Sequence, residues 1–177
     1  SMILFYVVCN PIYSQDISFA GQFGWAQPKG DSFVDSNGED MASGGLNFDG
    51  DILYHPDIMN NKIGFGVTYN GAVLFGASTS GTLEIGMYGL ALYGIKGYYR
   101  FFTSKVSPYV SLSTGLAQFS TPEITSGGEV IAESDEAYSF GLRPEVGVEL
   151  GGFILSAAYI IPMKYKITDE TAGALEF

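Results

Sequence analysis

The chain has 177 residues, enough for one domain of ordinary size, and a formal net charge of −11. Its eight Lys and Arg residues are scattered singly. They cannot form the basic surface that phosphate binding requires, so the composition excludes a nucleic-acid-binding protein. Charged residues make up only 15% of the chain, whereas there are 24 Gly, 12 Tyr and 13 Phe. The charged surface of an ordinary soluble domain, with roughly 25% charged residues, is therefore missing.

The N-terminal segment has the pattern of a secretory signal. An apolar run over residues 2–8 precedes a turn-prone and polar stretch over 10–15. The run is too short for a transmembrane helix, which needs about 20 apolar residues. We therefore predict that residues 1–15 are a signal-peptide remnant and that residues 16–177 form one outer-membrane domain. A lipoprotein acylated at Cys9 is a weaker alternative, because a bulky residue precedes the cysteine.

After residue 16, large apolar residues alternate with small or polar ones, which is the pattern of strands with two different faces. In the fourth predicted strand Tyr88, Leu90 and Leu92 share a face with Lys96 and Arg100, so a bulge near Gly89 or Gly94 is expected there. The predicted strands, eight in all, are 17–26, 45–56, 62–77, 83–102, 108–119, 138–150, 153–167 and 172–177.

The predicted connections alternate between polar or acidic loops, two of which are long, and short turns. The loops are 28–44, 78–82, 120–136 and 168–171, and the turns are 57–61, 103–107 and 151–152. This alternation places the loops on one rim of an up-and-down barrel and the turns on the other. Eleven of the nineteen acidic residues fall in the loops, so most of the negative charge belongs to the loop rim.

The fold class predicted from this pattern is all-β, an eight-stranded antiparallel up-and-down transmembrane β-barrel. Soluble lipocalin-like carriers have a similar strand count, so the composition of the two faces must decide between them. The polar face is mostly Gly, Ala, Ser and Thr, which fits a narrow interior better than a soluble exterior. Aromatic residues also concentrate near the strand ends, among them Tyr109 near the short turns and Phe119 near the loops, as in the aromatic girdles of membrane proteins.

Charges of both signs fall within the predicted strands. A Lys or Arg facing lipid near the bilayer midplane costs about 2–4 kcal/mol, so these side chains are expected to face the lumen and to pair there. An eight-stranded barrel is just wide enough to be filled by side chains, which predicts a plugged lumen. This predicted structural charge network comprises Asp49, Asp51, Lys96, Arg100, Arg143, Glu145, Glu149 and Lys164.

Three segments carry a family resemblance: RPEVGVELGGFILSAAYIIP at 143–162, YGIKGYYRF at 93–101 and SPYVSLSTG at 107–115. Together they resemble the outer-membrane β-barrel family related to OmpA and OmpX, in the version common in Bacteroidetes. The resemblance spans residues 16–177. It implies the barrel fold and a bacterial outer-membrane location, with roles in adhesion, surface interaction, envelope integrity or pore formation.

No catalytic, cofactor-binding or metal-binding residue is predicted. The sole histidine, His55, falls at a predicted turn beside Pro56 and Asp57 and is interpreted as a turn residue. The charged group around Arg143 and Glu145 is interpreted as structural, because buried ion pairs more often hold structure than react. The acidic loops lack the spacing of a calcium-binding loop.

The leading functional hypothesis is a small, monomeric, non-enzymatic surface barrel embedded in membrane lipid. Its acidic loops would contact lipopolysaccharide, an external protein or a cation, and no nucleic acid. The alternatives are a porin-like pore, a lipid A-modifying enzyme and a soluble carrier. Conductance, modified lipid A and detergent-free purification, respectively, would identify them.

Overall fold

The computed structural model describes residues 2–13, 17–29, 42–57, 59–76, 83–126, 129–132, 134–163, 166–167 and 175–176. Within these residues the structure is all-β, and no helix has the length and apolar character of a membrane span. The strands are β1 (Met2–Tyr13), β2 (Ile17–Pro28), β3 (Ala42–Tyr54), β4 (Ile63–Gly76), β5 (Leu83–Ile85), β6 (Met87–Arg100), β7 (Val106–Ser120), β8 (Ile124–Ser126), β9 (Glu129–Ala132), β10 (Glu136–Leu150), β11 (Ile154–Pro162), β12 (Lys166–Ile167) and β13 (Leu175–Glu176).

Seven of these strands form one curled antiparallel sheet with up-and-down connections, in the order β2, β3, β4, β6, β7, β10 and β11. The predicted all-β, antiparallel up-and-down architecture is confirmed. The ladders are long: β7 and β10 pair without interruption from Ser120 opposite Glu136 to Val106 opposite Leu150. The sheet therefore presents one continuous concave face and one continuous convex face.

The backbone of β1 lies between the two edges of this sheet. It pairs with β2 from Met2 opposite Pro28 onward, and with β11 from Met2 opposite Ile160 to Val7 opposite Leu155. The register with β2 shifts between Cys9 and Ile12, around a proline that has no N–H to donate to the ladder.

Segment 172–177 was predicted to be the eighth strand of the sheet, and this prediction was wrong. In the described part of this segment Leu175–Glu176 pairs with Lys166–Ile167 in a separate ladder, and β11 already ends at Pro162. Residues 2–8 do not alternate as a two-faced strand does, so their apolar run resembled a signal segment instead. Removal of residues 1–15 as a signal remnant stays a prediction.

The bulge expected near Gly89 or Gly94 was also wrong. The register of β6 runs without a shift against both β4 and β7 through these positions. The interruption lies earlier, at Gly86, and β5 pairs instead with β8, which pairs with β9. The bulge was predicted because the concave face was expected to be uniformly polar. That face also holds apolar side chains, such as Tyr88 and Leu92, so no bulge is needed.

The concave face holds two apolar clusters, one near each end of the strands. The loop-end cluster is built from Leu74, Tyr88, Ile160 and the alanines around them, and the turn-end cluster from Leu53, Tyr98, Tyr109 and Ile154. Tyr109 and Phe119, which the sequence placed in the aromatic girdles, therefore lie on the concave side. Between the two clusters lies the polar layer that forms the candidate site.

The turn rim is tight, as the sequence predicted for the short connections. The turn between β10 and β11 is closed by hydrogen bonds between Leu150 and Phe153. Gly151 and Gly152 have φ angles of 61° and 124°, a region that favours glycine. The three short turns thus hold the β3–β4, β6–β7 and β10–β11 pairs in register at this rim.

Candidate functional site

The candidate site is a buried charge cluster on the concave face, formed by Asp49 and Asp51 of β3, Lys96 of β6, and Arg143 and Glu145 of β10. In each strand the alternate positions point outward, so the period of two brings the charged residues to the same side. All five side chains are buried, and Arg143 is completely inaccessible. Three carboxylates and two cations thus share one small volume.

Glu145 is the hub of the cluster. Lys96 Nζ and Arg143 Nη1 each donate to its Oε2 at 2.9 Å. The Tyr109 hydroxyl donates to Oε1 at 2.5 Å and the Ser111 hydroxyl to Oε2 at 3.2 Å. Both oxygens of this carboxylate are therefore occupied, which is the condition for keeping a charge away from water.

The two aspartates are attached to the hub through the cations. Lys96 Nζ also donates to Asp51 Oδ2 at 2.6 Å, and Arg143 Nη2 donates to Asp49 Oδ2. Each cation thus bridges Glu145 and one aspartate. Removing either cation would leave two buried carboxylates facing each other.

A second charged group lies nearer the turn rim. Arg100 Nη1 is 3.3 Å from Glu149 Oε2, and the Tyr98 hydroxyl donates to the other oxygen of Glu149. This pair is partly accessible to solvent, unlike the central cluster. Seven of the eight residues predicted for the lumen network therefore lie in two ion-paired groups, and Lys164 lies outside the described residues.

His55 follows β3 directly, as predicted for a turn residue, but its ring is buried. The Ser18 hydroxyl and His55 Nε2 are 2.8 Å apart, and the ring stacks edge-on against Tyr98 with centroids 5.8 Å apart. Gly64 leaves the space for it, since a Cβ there would lie 2.8 Å from the ring. Burial, and then the nearby charge of Arg100, lower the pKa of His55, so the ring is neutral at neutral pH.

A Ser–His contact is also the core of a nucleophile–base pair, but a catalytic pair needs a third group to orient the base. The nearby Glu149 accepts from Tyr98 and Arg100 instead. In the described ranges no three His, Cys, Asp or Glu side chains converge as a metal site would require. The geometry thus favours structural contacts around His55.

Comparisons with known proteins leave the family open. No family model, curated protein or solved structure matches this chain. Any function assigned to this chain therefore depends on its own geometry.

Three neutral partners of the carboxylates were not among the predicted site residues: Tyr98, Tyr109 and Ser111. The alternation of side chains along each strand was the signal that could have identified them. Tyr109 occupies the same set of alternate positions as Ser111 and Ser113 in β7, so its side chain belongs to the concave face. Its aromatic character favoured the girdle instead, and this outweighed its position in the alternation.

Proposed function

We propose that this chain is a bacterial outer-membrane β-barrel of eight strands, with β1 closing the curled sheet, and that it is not an enzyme. Its role in this proposal is surface interaction or support of the envelope, through acidic loops that contact lipopolysaccharide or an external protein. The OmpA- and OmpX-like resemblance belongs to the same proposal.

One observation carries the proposal: the polarity of the curled sheet is inverted relative to a soluble domain. Among the described side chains of the seven strands, the convex face carries one charged residue, Glu136, at the loop end of β10. Large apolar side chains occupy most of the rest, and Ile95, Val67 and Leu112 are each more than half exposed. A soluble protein rarely leaves so large an apolar area in contact with water, whereas lipid favours it.

Aromatic side chains support the same orientation. Tyr54, Phe65 and Phe101 are exposed near the turn rim, and Trp25 and Tyr138 are exposed near the loop rim. Tyr and Trp rings are amphipathic and favour the level of the lipid headgroups. Two such zones at opposite strand ends match the two surfaces of a bilayer.

The filled concave face favours a structural role over transport. The side chains of Lys96, Arg143 and Glu145 are almost inaccessible and held by ion pairs. At the loop end, Leu74, Leu92 and Ile160 are buried as well. Closed into a barrel, this interior leaves little room for a solute to pass.

Substituting Ile95 with arginine tests the membrane assignment. Ile95 lies near the middle of β6 and is 64% exposed. We expect the variant to lose about 2–4 kcal/mol of unfolding free energy in phospholipid vesicles, because the charge meets lipid near the midplane. Urea titration followed by tryptophan fluorescence measures it.

The matched control is Phe102→Arg, at the turn rim and 59% exposed. Near the interface the cost should fall to about 0–1 kcal/mol. Ordinary surface substitutions change the free energy of unfolding by less than about 0.5 kcal/mol. If both variants stay within this range of the parent, the convex face does not contact lipid.

Planar-bilayer recording tests the closed interior. We expect the purified chain to insert without stepwise conductance, because paired side chains fill the concave face. The vesicle-bound fraction, measured in parallel, shows that the silent protein has inserted. Discrete opening steps from the unmodified chain would favour the pore alternative.

A further inference from the structure

The convex face carries its single described charge, Glu136, at the loop end of β10. Glu136 lies two positions nearer the loop rim than Tyr138, whose exposed ring belongs to the aromatic zone of that rim. In the part of the chain that the structure describes, Glu136 takes part in no ion pair. At the headgroup level it meets less water than a loop carboxylate does, so a cation from the surroundings would stabilise it.

Neighbouring side chains hold this carboxylate in place. The Tyr138 hydroxyl donates to Glu136 Oε2 at 2.7 Å, and Gln118 Nε2 donates to the same oxygen at 3.1 Å. The other oxygen, Oε1, accepts from none of the described residues. One carboxylate oxygen is therefore oriented by the protein and available to a donor from outside the chain.

The strand register places small and polar residues beside Glu136. Two neighbouring rows of convex-face positions cross β6, β7 and β10 here: Gly89, Ser120 and Glu136, and then Ala91, Gln118 and Tyr138. The members on β6 and β7 are half-buried, and two of them have no side chain beyond Cβ. The convex surface is therefore recessed beside Glu136, and these six residues form what we call the recess.

Tyrosine rings bound the recess on the side of the turn rim. Tyr69 and Tyr93 are directly opposite each other in the β4–β6 ladder, with ring centroids 5.1 Å apart. The Tyr69 ring is directed toward the loop rim, because a Cβ at Gly71 would lie 2.6 Å from its hydroxyl oxygen. Gly71 is opposite Ala91, which is opposite Gln118. The Tyr69 hydroxyl thus lies level with the row of Gln118.

We propose that the recess binds the primary ammonium group of a phospholipid headgroup, with Glu136 Oε1 as its acceptor. A carboxylate and the exposed ring of Tyr138 both attract an ammonium, by a charge-assisted hydrogen bond and by a cation–π contact. A phosphate would instead be repelled by Glu136 and by the acidic loops. The convex position favours a lipid over a soluble amine, because the acyl chains can continue along the apolar strands.

This inference rests on the proposed function and deepens it, because the recess meets a headgroup only if the convex face contacts lipid. It names the class of lipid that the loop rim selects. It also accounts for a carboxylate on a face whose other described strand residues are uncharged.

Native mass spectrometry of the full chain tests the proposal, with phosphatidylethanolamine and phosphatidylcholine of identical acyl chains mixed equally in the detergent micelles. Both headgroups carry a positive charge, but only the primary ammonium of phosphatidylethanolamine can donate an N–H to Oε1. We expect the chain to retain phosphatidylethanolamine several-fold more often than phosphatidylcholine. Anionic phosphatidylglycerol with the same acyl chains should be retained least.

Glu136→Gln keeps the shape of the side chain and removes its charge, so this variant should lose the preference for phosphatidylethanolamine. Tyr138→Leu should weaken the preference, because it removes the ring and one donor to Glu136. The matched control is Asp135→Asn, which removes an exposed charge from the neighbouring residue and should keep the preference of the parent. All three positions are exposed, so the melting temperatures should stay close to that of the parent.

Equal retention of the two lipids by the parent would overturn this inference and leave the proposed function standing, since lipid would still bind the chain. An unchanged preference in Glu136→Gln, or stronger retention of phosphatidylglycerol, would overturn it in the same way. A chain that retains no phospholipid and stays soluble without detergent would instead contradict the proposed function. The comparison of lipids on the parent decides the question even if a variant fails to fold.

Discussion

Replacing Arg143 with methionine is expected to lower the free energy of unfolding by about 3–5 kcal/mol, the range for breaking a buried ion pair on one side. The guanidinium bridges Asp49 and Glu145 from a completely buried position. Methionine fills much of the same volume but leaves two carboxylates without this counter-charge. Urea unfolding in detergent micelles, followed by circular dichroism, measures the loss.

The matched control is Arg100→Met. Arg100 also pairs with a glutamate, but that pair is partly accessible to water, where ion pairs contribute about 0–1 kcal/mol. Combining Arg143→Met with Asp49→Asn should recover part of the loss, because one of the stranded carboxylates is then neutral. Equal losses for Arg143→Met and Arg100→Met would show that the central cluster does not contribute more than a surface pair.

Deleting Met2–Tyr13 is expected to abolish the cooperative thermal transition. The backbone of β1 pairs with β2 along most of its length, and its N-terminal part, from Met2 to Val7, also pairs with β11. Removing β1 therefore leaves two long strand edges unpaired. Unpaired edges of this kind favour aggregation over folding. Circular dichroism melting and light scattering of the shortened chain measure both effects.

The control is a chain ending after Met163, which removes β12 and β13 but no strand of the curled sheet. It should melt cooperatively, close to the full-length chain. If residues 1–15 are instead a signal remnant, the chain beginning at Asp16 should fold as well as the full-length chain. That result would contradict the closure of the sheet by β1.

Much of the fold could be predicted because alternation is a local signal. It located β2, β3, β4, β6, β7 and β10 to within a few residues and assigned the convex face of all of them except β6, where a bulge was wrongly expected. Closure could not be predicted in the same way. The partners of β1 lie at the two ends of the sheet, and the uniform apolar character of residues 2–8 hides the alternation.

The candidate site was predictable as a set of charges but not as a network. The alternation along each strand places Asp49, Asp51, Lys96, Arg143 and Glu145 on one face. It does not show which of these side chains form ion pairs with each other. That depends on the stagger between distant strands, since Asp49 meets Arg143 across the concave face rather than along a ladder. Tyr109 lies on the neighbouring strand β7 and was missed for a different reason, because its aromatic ring favoured the girdle.

The central claim is that this chain forms a closed β-barrel with a lipid-facing exterior, and heat-modifiable migration in SDS gels combined with detergent dependence tests it most directly. We predict that the unheated protein migrates differently from the boiled protein, and that removing detergent causes precipitation unless lipid is present. A chain that migrates identically with and without boiling, and stays a soluble monomer without detergent, would contradict the claim.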